Sequence, residues 1–319
     1  MSERAPEAVL WDFLRGVMMT KALAIVADLG IAEALANGPQ PVGDLARGAG
    51  VDADVLHRLL RALASDGVFA EEEPDVFRNS DASELLRRPG WAEFAHLFGG
   101  VFYEAVADLD RAARNGAATF PDAFGSDFWS WLGARAEERA VFDRAMAGEK
   151  ARSAERLAEL EWRDGEIVVD VGGGNGALLL DLLRRRSGLR GIVFDLPETD
   201  RDENALGDNI EFVAGSFFER LPAGDAYVLS AILHDWDDER ATAILRTVCA
   251  SAPQDARVLI VESVIPLGNE SNGAKWLDLL MLVLAGGRER TEREWRALLD
   301  GAGLRTERVE EGLIEARCR

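Results

Sequence analysis

Residues 167–176 read Ile-Val-Val-Asp-Val-Gly-Gly-Gly-Asn-Gly, and this stretch decides the fold. A short apolar, β-branched run ending in glycines is the pattern of a strand buried on both faces. Residues 177–186 follow with leucines at helical spacing. Strand, glycine loop and helix in this order open a doubly wound α/β sheet, in which nucleotide-like ligands sit beyond the carboxyl end of the strand. Downstream, GIVFD (191–195), IEFVA (210–214), AYVLS (226–230) and RVLIVES (257–263) read as further strands. A helix over 238–250 separates the last two. Thr291–Glu294 forms a capping box that opens a helix running to Gly301. LRTERVE and LIEARCR close the chain as two short strands. Strands alternating with helices predict a parallel sheet covered on both faces.

Upstream the rhythm differs. Apolar residues from Trp11 to Leu35 recur at helical spacing and stop at Asn37-Gly38-Pro39. VGDLARGAG and DADVLHRLLRALASDG then read as two helices joined by a tight turn, and VFAEEEPDVFRNS as strand, turn, strand: a winged helix. From Trp91 to Trp162 the chain is helical and rich in aromatics, fitting either a dimer interface or the wall of an apolar pocket. The expected organisation is a winged-helix domain (1–90), a helical connector (91–162) and a Rossmann-like domain (163–319).

The chain has 319 residues, 48% hydrophobic and 29% charged, with a net charge of −21. This is a globular composition, and its negative charge repels phosphate backbones and anionic lipids, arguing against nucleic acid and membrane partners. The second winged-helix segment sets Arg58 and Arg61 against Asp52, Asp54 and Asp66, so it lacks the basic face that DNA binding needs. No apolar run approaches the roughly 20 residues that span a bilayer. The opening MSERAPEAVLWDF lacks the pattern of a signal peptide, so a cytoplasmic protein is expected. Cys249 and Cys318 are too few for a disulfide framework or a zinc site, and no metal is expected.

The glycines alone also satisfy a dinucleotide fingerprint, Gly172-x-Gly174-x-x-Ala177. Asp170 shifts the balance: a carboxylate two residues before the first glycine suits a cationic group, such as the ammonium of a methionine moiety, and repels a pyrophosphate. Asp195, ending the second strand, is placed to accept hydrogen bonds from both ribose hydroxyls, although it can also be read as a helix cap. The spacing favours S-adenosyl-L-methionine over NAD.

Of three histidines, His57 and His96 lie in helical regions and read as structural. His234, in His234-Asp235-Trp236-Asp237-Asp238, follows the strand AYVLS at its carboxyl end. Glu262 ends the next strand. If the two strands are neighbours they run about 4.8 Å apart, which puts the Glu262 carboxylate within reach of a hydrogen bond from the imidazole.

Taken together, VVDVGGGNG, VFDLPE, LHDWDDE, VESVIP and GGRERTEREW, in this order, resemble the class I S-adenosylmethionine-dependent O-methyltransferases of the plant caffeic acid/acetylserotonin type and their bacterial natural-product relatives. The resemblance covers nearly the whole chain. It implies an O-methyltransferase of secondary metabolism acting on an aromatic phenolic or polyketide-like acceptor, in a homodimer. It implies His234 as general base, flanked by Glu262 and Glu289. It assigns the cofactor to Asp170, Gly172, Gly174, Asp195, Leu196, Ser216, Phe217 and Ser230, with Phe217 on the adenine. It puts Trp129, Phe142, Met146, Asp235, Asp278 and Met281 in the acceptor pocket. Three departures stand out: Ser216 replaces a carboxylate, Ser230 replaces a lysine, and Lys150 stands where a serine is common. A repurposed relative that hydroxylates or decarboxylates a polycyclic aromatic, and a small-molecule-sensing winged-helix regulator, are the competing readings.

Overall fold

The computed structural model describes residues 5–197, 199, 206–254, 256–310 and 312–319. The opening MSER and Glu198 of the VFDLPE run lie outside them. The chain divides into two compact units, one of Met1–Glu104 with Ala136–Gly148, the other of Ala105–Arg135 with Glu149–Arg319. The stretch 91–162 is therefore shared between units rather than forming a body of its own.

The first unit has the expected winged helix. Helix Val42–Ala49 ends at Gly50, whose φ of 70° turns the chain into helix Ala53–Ser65, capped by the Asp52 carboxylate on the Val55 amide. Strands Phe69–Glu73 and Val76–Asn79 pair as the wing, with Gln40–Pro41 added at its edge. Leu56, Leu60, Leu63, Phe69 and Phe77 fill the core between them. The long amino-terminal helix covers Pro6–Asp28 and breaks earlier than its apolar spacing predicts, because Gly30 adopts φ 65° and starts a separate short helix, Ile31–Ala34. Arg58 pairs with Asp54 on the helix surface.

The second unit is built on a seven-stranded sheet: β1 (Ile167–Val171), β2 (Arg190–Asp195), β3 (Ile210–Ala214), β4 (Ala226–Ser230), β5 (Arg257–Val261), β6 (Leu304–Glu310) and β7 (Leu313–Cys318). Their spatial order is β3-β2-β1-β4-β5-β7-β6. The first five are parallel, but β7 runs antiparallel to β5 and β6 antiparallel to β7. The sheet is thus mixed rather than all parallel. Residues 304–318 form a hairpin, and a tight connection can only return the chain antiparallel. Side chains alternate between two apolar layers: Val169, Tyr227, Leu229, Val258 and Ile260 face one, and Val168, Val228 and Leu259 face the other.

Cys249, at the end of helix Asp238–Ser251, and Cys318 of β7 are joined by a single disulfide, a pairing that two cysteines in the sequence did not reveal. They lie 69 positions apart in sequence, and the hairpin is what brings β7 under that helix. Among the described residues no helix is long and apolar enough to cross a membrane.

Candidate active site

β1 and β4 are adjacent at the centre of the sheet, where the strand order reverses, and a doubly wound fold places its ligand crevice there. The glycine loop leaves β1 through Gly172 and Gly174, both in the left-handed region at φ 71° and 60°. A Cβ on Gly172 would come within 2.5 Å of Ile232 Cδ1, and one on Gly173 within 2.7 Å of Asp170 Oδ2. Asp170 therefore lies directly beneath the loop. It is fully buried, and neither carboxylate oxygen has a hydrogen-bond partner among the described residues. Burial pushes its pKa up to about 6, Lys150 draws it back and Asp195 pushes it further.

A buried carboxylate left without donors is costly, and an ammonium group relieves that cost, so Asp170 fits the methionine end of S-adenosylmethionine. Asp195, at the end of β2, accepts from the Gly174 amide at 2.7 Å, the Leu196 amide at 2.7 Å and the Thr199 hydroxyl at 2.9 Å. Leu196 itself is exposed. Phe217 sits within 4 Å of the Cβ position of Gly172 and packs edge-on against Trp236. Ser216 accepts the Phe218 amide and so shapes the turn that carries Phe217. Ser230 is buried, with its hydroxyl on Ser153 and its carbonyl accepting from Lys150 Nζ at 3.0 Å. Neither Ile232 nor Thr199 was marked by any sequence pattern.

The catalytic candidates meet where β4 and β5 end. Ser230 is paired with Val261, so the residues after them leave the sheet side by side. Ala231 takes φ 55°, unusual for a residue with a Cβ, and turns the chain into the 3-10 turn Leu233–Asp235. Glu262 does not hydrogen-bond the imidazole. Its Oε1 accepts the amides of Ile232 at 2.9 Å and Leu233 at 2.7 Å, with His234 at 3.4 Å, which caps the turn. Its Oε2 lies 3.4 Å from His234 Nδ1.

The imidazole bond goes to Glu289 instead. His234 Nδ1 is 2.8 Å from Glu289 Oε1, and because a carboxylate only accepts, Nδ1 carries the hydrogen. Residues 290–291 pair in parallel with 264–265, just past Glu262, and this short ladder places Glu289 beside the turn. Asp278 accepts the Glu289 amide at 2.8 Å. Asp235 is buried, with Oδ1 3.6 Å from His234 Nε2. Burial pushes its pKa up to about 7, His234 opposes that, and Glu262 and Glu289 add to it. For His234, burial favours loss of the proton, but Glu262, Asp235 and Glu289 outweigh it and raise the pKa well above 6.5.

Of the other expected pocket residues, Met281 is buried on helix Ala274–Ala285, which packs on the Leu233–Asp235 turn. Trp129 packs edge-on against Phe128 on helix Phe128–Gly133. Phe142 and Met146 stand on helix Ala136–Ala158 in the portion belonging to the first unit. Many aromatics of the connector pack on one another: Phe120 stacks on Phe124 at 4.2 Å and meets Phe128 and Trp131 edge-on. His57 and His96 are engaged away from this cluster, with Asp75 and Asp28 respectively.

A reversed-order sheet, a glycine loop over an unpartnered carboxylate, and an acid-flanked histidine define an S-adenosylmethionine-dependent methyltransferase. The chain belongs to the O-methyltransferase family: the O-methyltransferase domain matches residues 103–305, and the O-methyltransferase dimerisation domain matches residues 11–88. It is similar to the phenazine O-methyltransferase PhzM of Lysobacter antibioticus, with 37% identity over 313 residues, 95% of this chain and 92% of the relative. The crystal structure of LaPhzM superposes with a TM-score of 0.90 at 36% identity, covering 99% of this chain and 100% of that one. NcsB1 from neocarzinostatin biosynthesis, solved with S-adenosyl-L-homocysteine and 1,4-dihydroxy-2-naphthoic acid, gives 0.79 at 32% identity, covering 94% of this chain and 95% of that one. The protein is an O-methyltransferase that uses S-adenosylmethionine.

Proposed function

We propose that this enzyme methylates a hydroxyl of an aromatic, phenolic or polyketide-like small molecule in secondary metabolism, with His234 as the general base. The observation that carries this reading is the 2.8 Å contact of His234 Nδ1 with Glu289, which leaves Nε2 as the ring's proton-accepting atom. Relatives named for a phenazine acceptor and solved with a naphthoic acid support the substrate class.

When bound, S-adenosylmethionine supplies an electrophilic methyl group. Asp170 would hold its ammonium and Phe217 its adenine. Asp195 would accept a ribose hydroxyl with capacity left over from its three present donors. Lys150 keeps donors beyond the one given to Ser230 and would meet a carboxylate. His234 Nε2 takes the acceptor's hydroxyl proton as its oxygen is alkylated. With reference pKa values of about 10 for a phenol and 6.5 for imidazole, full transfer beforehand would cost roughly 5 kcal/mol. The buried carboxylates around His234 strengthen it as a base and narrow that gap. Asp235, beside Nε2, lies on the side the acceptor must approach.

The amino-terminal helix leaves Leu10 66% and Trp11 63% exposed. With the dimerisation domain spanning 11–88, this apolar face supports a homodimer.

Calorimetric titration with S-adenosyl-L-homocysteine, with NADH as control, tests the cofactor site. Incubation with S-adenosylmethionine and a panel of phenolics, naphthols and hydroxyphenazines should then give a product heavier by one CH2. Gain of one oxygen or loss of CO2 in place of CH2 would overturn the reading in favour of a repurposed relative, and binding of NADH in favour of a nicotinamide oxidoreductase.

A further inference from the structure

We propose that Arg290 is a positioning residue for the base: it clamps the turn carrying His234 to the segment carrying Glu289, and so sets the imidazole's tautomer and place. This role rests on the reading of His234 as the base.

In Gly-Gly-Arg-Glu-Arg (286–290) the alternating charges look like a solvated segment, yet Arg290 is 0% exposed and Glu289 2%. A buried guanidinium must place its five N–H groups. Arg290 Nη1 donates to the Leu233 carbonyl at 3.0 Å and to the Arg288 carbonyl at 3.2 Å; Nη2 donates to the Trp236 carbonyl at 2.9 Å; Nε donates to Asp238 at 2.9 Å. The cation also lies over the ring of Trp295, 5.2 Å from its centroid. Leu233 and Trp236 bracket His234 and Asp235.

The turn needs such an outside partner. A 3-10 turn of three residues makes few hydrogen bonds of its own and leaves end groups unmatched. Glu262 takes the amides at its start, and Arg290 takes the carbonyls before and after the His-Asp pair. The Arg288 amide adds a bond to the His234 carbonyl at 2.8 Å. The residue next to Arg290 is Glu289, so one anchored side chain sets both partners of the 2.8 Å contact. Its planar fork spans carbonyls three residues apart, which an ammonium, a point charge, does less well.

The test uses Arg290→Gln, Arg290→Lys and Asp238→Asn, with Arg290→Gln also combined with His234→Ala. Readouts are S-adenosyl-L-homocysteine affinity, kcat, KM, and the nitrogen-15 spectrum of labelled histidine, which three histidines keep simple. Arg290→Gln is expected to lower kcat about 10²-fold through a misplacement of about 1 Å, with cofactor affinity and KM nearly unchanged. At alkaline pH, where the ring is neutral, the His234 signals should move from one Nδ1–H tautomer toward a mixture. Arg290→Lys should fall between, and Arg290→Gln should cost nothing further in His234→Ala. Asp238 is exposed, so its substitution offers a milder readout should Arg290→Gln not fold: a smaller drop in kcat with the same tautomer shift.

An unchanged kcat and tautomer in these variants overturns the proposal while leaving His234 as the base. Parallel loss of cofactor affinity, or a further loss in the His234→Ala background, overturns it by making Arg290 a general support of the fold. Full activity of His234→Ala alone removes the base reading and this proposal with it.

Discussion

His234 Nδ1 and Glu289 Oε1 lie 2.8 Å apart although they stand 55 positions apart in sequence. Glu262, 28 residues from His234, instead holds the backbone of the turn. One acid thus orients the ring and the other its main chain. The carboxylates stabilise the imidazolium, so the neutral ring that can accept a proton forms only as pH rises past a value well above 6.5. The kcat–pH profile should climb through the alkaline range. Glu289→Gln removes part of the stabilising charge, so the rising limb should shift to lower pH while the plateau falls. Steady-state kinetics of both proteins across the neutral and alkaline range checks this; a limb that stays in place would separate it from His234.

His234→Ala should lower turnover by about 10²–10⁴. S-adenosyl-L-homocysteine affinity should be kept, because the unpartnered Asp170 and the glycine loop are untouched. Single-turnover assays together with calorimetry measure both on one preparation, and wild-type turnover would remove His234 from the role of base.

Asp170 is held at a pKa of about 6 against 3.8 for the free group, chiefly by burial. A carboxyl with a raised folded-state pKa loses stability as pH climbs from the lower value to the higher. The cost at neutral pH is about 3 kcal/mol. Asp170→Asn should therefore raise the melting temperature of the cofactor-free protein at neutral pH, with the gain vanishing below pH 3.8. The same change should abolish measurable cofactor binding. Thermal melts at two pH values and a titration test the pair of effects, and a stabilised variant that still binds would refute the role given to Asp170.

Gly287 packs its Cα against the His234 turn, and an added Cβ would sit 2.0 Å from the His234 carbonyl oxygen. Backbone cannot give way as a side chain does. Gly287→Ala should push the turn off the segment carrying Glu289 and lower kcat about 10²-fold, with cofactor binding intact. Equal loss of both would mean the substitution disturbs the whole unit.

Reducing the Cys249–Cys318 bridge, or substituting Cys318→Ser, frees a loop with 69 residues of sequence separation. Loop-closure entropy puts the destabilisation at about 4 kcal/mol at most. The melting temperature should drop in reductant for the wild type and not for the variant. Thiol titration of the unfolded protein with and without reductant counts the bond directly.

The sequence by itself determined the strands and the glycine loop, and singled out Asp170 and His234 as candidates. Each is a local matter: apolar runs bounded by glycine, a carboxylate two residues ahead of a turn, a histidine just past a strand. Resemblance then supplied Glu289, which no spacing near His234 could. The division of labour between Glu262 and Glu289 was decided only by the tertiary structure. It depends on the strand pairing of 290–291 with 264–265, a register between segments 26 residues apart. Arg290 stayed hidden for a related reason. Alternating Arg and Glu has the same pattern on a surface and in a core, and only the packed turn supplies the carbonyls that let a guanidinium be buried. The disulfide and the antiparallel edge likewise follow from where the final hairpin folds back, since cysteine count and strand pattern carry no information about which elements become neighbours.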